Sequence, residues 1–99
     1  MFVCVSTECF PEMPLAAAME RLAELEFTAV ELDVREGGAH LQPAEVAANP
    51  EAAIARCSDL QRLRPVAISF AAAEGPAVYD EFTACCRLAK SLGVVTMVV

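Results

Sequence analysis

Four apolar, β-prone segments, Phe2–Thr7, Thr28–Val34, Pro65–Phe70 and Val94–Val99, recur along the chain. Their starts are spaced by roughly the thirty residues of a βα unit. Between them lie three stretches with helical periodicity, at about 14–26, 50–63 and 77–92. An alternation of this kind implies parallel strands joined by right-handed crossovers. It restricts the fold to an open doubly wound sheet or a (β/α)₈ barrel.

Each helix carries its own signals. Pro14 opens the first, because its missing N–H would be unpaired at N1 anyway. Leu15, Ala18, Met19, Leu22 and Leu25 form one apolar stripe, with Glu20, Arg21 and Glu24 facing away. Asn49-Pro50-Glu51 starts the second with an N-cap, a proline at N1 and an acid near the positive end of the dipole. Ile54, Cys57 and Leu60 make its buried line, flanked by Ala53 and Leu63. The third presents Val78, Phe82, Cys85, Leu88 and Leu92 on one face and stops at Gly93.

The first βα turn separates the two fold families. A nucleotide-binding fold needs glycines there, so that backbone N–H groups can approach phosphate. This chain has Glu8-Cys9-Phe10-Pro11-Glu12, with two acids and no glycine. The second strand supplies the positive signal. In Ala29-Val30-Glu31-Leu32-Asp33-Val34, alternation puts Val30, Leu32 and Val34 on one face and Glu31 and Asp33 on the other. Mid-strand carboxylates are costly between two helix layers but fit the polar mouth of a barrel. The expected architecture is therefore α/β, a single (βα)₃β parallel half-barrel over residues 1–99. A chain ending on the strand Val94–Val99 reads as the N-terminal half of a TIM (β/α)₈ barrel, cut short.

Composition narrows the function. The net charge is −7, with seven basic residues scattered among fourteen acidic ones, whereas nucleic-acid affinity rests on Lys and Arg at phosphates. The chain is 57% hydrophobic, yet no uncharged run approaches the ~20 residues of a membrane span. Neither nucleic acid nor membrane is an expected partner. The five cysteines contain no C-x-x-C pair, and they read as buried free thiols in a reducing, cytoplasmic setting. Cys85 is expected in the core and the adjacent Cys86 partly so.

Val5-Ser6-Thr7 followed by Phe10-Pro11, and then Leu22-Ala23-Glu24-Leu25-Glu26-Phe27-Thr28-Ala29-Val30-Glu31-Leu32, resemble the opening of the xylose-isomerase-like sugar phosphate isomerases and epimerases. Members often carry a strand ending in Ser-Thr, a Phe-Pro turn and a helix leading into "LGFDGVEL". Here Glu26 stands for the glycine of that phrase and Thr28-Ala29 for its Asp-Gly. Ser91-Leu92-Gly93 matches the family's Leu-Gly helix end. The resemblance implies a metal-dependent isomerase or epimerase acting on a small sugar, sugar phosphate or polyol. It also implies a divalent cation (Mn, Mg or Zn) held by carboxylates and a histidine on later strands of the complete barrel. The endonuclease branch places a histidine at the end of the third strand, where this chain has Ile68-Ser69-Phe70-Ala71-Ala72, which disfavours a DNA substrate.

Four residues are candidates for substrate binding. Glu31 matches the family's glutamate in "VEL" and could hydrogen-bond substrate or orient a metal ligand; a structural ion pair with an Arg or Lys from a later strand of the complete barrel is the alternative. Asp33 lies one pleat nearer the mouth, where it could equally satisfy loop N–H groups. His40, in the glycine-bearing loop Glu36–Pro43, suits proton transfer or metal binding unless it is simply solvated. Glu8, with Glu12, follows the first strand and acts on substrate or serves as a solvated turn acid. No catalytic residue or metal ligand is assigned within these residues. Uncovered inward faces at Val3, Val5, Ile68 and Val94–Val99 would leave an isolated chain self-associating or insoluble. That chain is expected to bind no metal tightly and to show no isomerase activity. The other readings are a non-catalytic self-associating α/β module and an endonuclease-type member of the same superfamily.

Overall fold

The computed structural model describes residues 4–58, 63–72 and 74–99. Four strands, β1 (Val5–Ser6), β2 (Ala29–Arg35), β3 (Arg64–Ala71) and β4 (Thr96–Val98), form one sheet. Their order is β1-β2-β3-β4 and every neighbouring pair is parallel. Four helices, α1 (Leu15–Glu24), α2 (Pro43–Ala48), α3 (Pro50–Ser58) and α4 (Val78–Leu92), complete the fold.

A single core explains the layering. Val30, Leu32, Val34 and Ile68 are fully buried, and they cluster with Leu15, Met19 and Leu22 of α1, Val46 of α2, Cys57 of α3, and Cys85 and Leu88 of α4. All four helices therefore lie on one face of the sheet. The other face carries Glu31, Asp33 and Arg35 of β2, as alternation requires. Register places Ser6 and Ala67 beside Glu31, and Ser69 beside Asp33. The expectation that Val5, Ile68 and the whole of Val94–Val99 lack cover is corrected, since Ile68 and Val94 are buried in the core and Val5 and Met97 pack against it. Val3, like Phe2, lies outside the described residues.

The β2–β3 ladder contains one irregularity. Val30 pairs with Pro65 but Glu31 pairs with Ala67, so Val66 is an extra residue on β3, a β-bulge.

β2, β3 and α4 match the periodic reading to within one residue at each end, whereas four other elements differ by more or end differently. The strand expected through Thr7 ends at Ser6, because Thr7–Cys9 turn into a 3₁₀ helix whose N-cap is the Ser6 hydroxyl. α1 stops at Glu24, leaving Leu25 49% exposed rather than in the stripe. The second helix begins at Asn49-Pro50 as expected, with Asn49 Oδ1 accepting the Ala52 N–H at 3.2 Å. It runs to Ser58; Leu63 is buried but leads into β3, and residues 59–62, with Leu60, lie outside the description. The final strand is confined to Thr96–Val98, and Val95 and Val99 are exposed.

α2 follows directly on the Glu36–Pro43 loop, in a stretch where periodicity indicates no helix. Pro43 takes its N1 position and Val46 anchors it in the core. Cys57 and Cys85 are buried as expected, whereas Cys4, Cys9 and Cys86 are exposed, against the expectation of buried thiols.

Candidate functional site

The polar groups of the sheet collect at the C-terminal ends of β1 and β2. β1 is short because its ladder is continued by a side chain. The Thr7 hydroxyl, fully buried, accepts the Asp33 backbone N–H at 3.0 Å, where a β1 carbonyl would otherwise serve. One step further, Leu41 O accepts the Arg35 N–H at 3.0 Å. The β2–α2 loop thus folds back over the edge that β1 vacates, helped by Gly37 at φ +75°.

That fold-back buries His40, which is 3% exposed. Its Nε2 lies 3.0 Å from Phe10 O and its Nδ1 3.1 Å from Thr7 Oγ1. A carbonyl only accepts, so Nε2 carries the proton, and in the neutral ring Nδ1 is the acceptor. The Thr7 hydroxyl then donates to Nδ1 while accepting from Asp33. Every hydrogen-bonding site on the imidazole is used. His40 is therefore not a solvated loop residue; it is a buried tie between the β1 turn and the β2–α2 loop. Arg56 of α3 strengthens the tie, donating to His40 O at 2.6 Å and to Glu45 of α2 at 3.0 Å.

Asp33 and Glu8 converge on Arg35. The Arg35 guanidinium donates to Glu8 Oε1 at 2.6 Å and lies 3.6 Å from Asp33 Oδ2. The Asp33 side chain is only 9% exposed. Burial pushes its carboxyl above the ordinary carboxylate range; the Arg35 charge opposes that shift, and Glu8 adds to it. The hydrogen bond from Arg35 to Glu8 in turn raises the guanidinium.

Glu31 stands one pleat deeper, half-buried, and no ion pair with it occurs among the described residues. Its charge, after burial itself, raises the Cys4 thiol. Glu12 is exposed on the turn. The structure therefore brings Glu8 and Asp33 together, places His40 beside them as a structural element, and leaves Glu31 apart.

Reading by residue type overlooked Thr7, Arg35 and Arg56. Arg35 follows from the alternation that selected Glu31 and Asp33, extended by one step. Thr7 and Arg56 act through contacts across 26 and 16 residues of chain, respectively, and local patterning carries no sign of them.

A divalent cation does not fit these groups. Among the described residues no three His, Cys, Asp or Glu side chains gather where an ion could be held, and the two carboxylates that meet already share a guanidinium. Among the described residues no helix is long and apolar enough to cross a membrane. No family model, curated protein or solved structure matches the chain.

Proposed function

We propose that this sheet is the N-terminal half of a (β/α)₈ barrel of the sugar phosphate isomerase and epimerase type, acting on a small sugar or polyol. The observation that supports this reading is the sequential parallel order with every helix on one face. Such a sheet keeps its other face free to line a barrel, with polar residues toward the strands' C-terminal ends. In this reading Glu31 reaches substrate hydroxyls, while the Glu8–Arg35–Asp33 group shapes the mouth. The divalent cation (Mn, Mg or Zn) belongs to residues on strands beyond these four. A reducing, cytoplasmic setting that keeps the thiols free belongs to the same reading.

The test is to express the source reading frame past Val99 and follow exchange of sugar C–H protons with deuterated water, with each metal added. Metal-dependent exchange in the extended protein, weakened by Glu31→Gln and absent from residues 1–99 alone, is the expected result. No exchange across aldoses, ketoses and their phosphates overturns it.

A second reading, a non-catalytic module that self-associates, is favoured by one observation. Of six exposed large apolar side chains among the described residues, five (Tyr79, Phe82, Val95, Val98 and Val99) lie on α4 or along the β4 segment. That edge carries no charge from Gly93 to Val99, and charged side chains are what commonly protect edge strands. Light scattering at ~100 µM should then find an oligomer that Val98→Lys dissociates. A monomer before and after the substitution rejects this reading.

A further inference from the structure

We draw no further inference here: the strongest candidate, the uncovered face of the sheet on which the Glu31 carboxylate stands beside Ser6 and Ala67, carries none, because nothing in the structure shows what covers it.

Discussion

The hydroxyl of Thr7 lies 3.1 Å from Nδ1 of His40 and donates to it, across 33 residues of chain. The same oxygen accepts the Asp33 N–H, so one side chain serves two buried partners. Thr7→Val removes both bonds at once. Each buried group left unpaired costs ~1–3 kcal/mol, and the variant should lose at least about 2 kcal/mol in urea unfolding. Thr7→Ser should restore most of the loss. Nitrogen-detected NMR of the imidazole should show the neutral form protonated at Nε2; protonation at Nδ1 instead would reverse the assigned hydrogen-bond directions.

Glu26 and Gly93 close two helices in the same way. After α1, Phe27 N–H reaches Leu22 O at 3.2 Å and Glu26 N–H reaches Ala23 O at 3.0 Å; after α4, Val94 N–H reaches Ala89 O at 2.8 Å and Gly93 N–H reaches Lys90 O at 3.2 Å. Both pivots are left-handed, at φ +69° and +75°. Only glycine adopts that conformation without strain, and against this stands its greater freedom in the unfolded chain. Glu26→Gly should therefore stabilise by about 0.5–1 kcal/mol. Gly93→Ala should destabilise by about 1 kcal/mol; nothing lies within 4 Å of the added Cβ, so the effect is one of backbone conformation. Thermal unfolding of the two variants checks both signs.

Asp33 gives a pH dependence of definite sign. Its carboxyl is raised, mainly by burial, so between the ordinary and the raised value the folded state binds more protons than the unfolded one. Stability from this group then falls as pH rises through that window and is regained on acidification. Comparing the native chain with Asp33→Asn cancels the other carboxylates. The melting temperature of the native chain relative to the variant should increase from about pH 7 down to about pH 3. A relative decrease would mean that the ion pair with Arg35, not burial, dominates.

The thiols should divide into two groups. Burial pushes Cys57 up to about 11 and Cys85 up to about 12, which leaves almost no thiolate at about pH 8. A disulfide reagent should modify Cys4, Cys9 and Cys86 in the folded protein and reach the other two only after denaturant. Cys4 should react faster in Glu31→Gln, since the carboxylate contributes to holding that thiol protonated. Mass mapping of modified peptides over time distinguishes the groups.

Periodicity was informative where one element decides its own geometry. Val30, Leu32 and Val34 alternate with Glu31 and Asp33 because a strand has two faces, and helices α1 and α4 show their stripes for the analogous reason. α2 escaped notice because it is six residues long, too short for a stripe, and is held by Val46 in the core. The burial of His40 was illegible for a different reason. It depends on β1 ending early and on a loop filling the vacant edge, an outcome of two distant segments meeting. The loop that carries Gly37 and Gly38 is fastened by Thr7, Phe10 and Arg56, three residues that lie outside it.

Val66 makes β3 one residue longer than its ladder with β2 requires, and that surplus behaves like a dislocation in a crystal row. Below it Pro65 shares a face with Val30; above it Ile68 and Phe70 share that face, although counting by twos from Pro65 would put them on the opposite one. Deleting Val66 would annihilate the defect and leave every other side chain on its present face. Deleting Ser69 instead would annihilate it higher up and carry Ile68 across the sheet to lie beside Asp33. The strand can thus shed a residue at one point, and the cost of shedding it elsewhere grows with distance from that point.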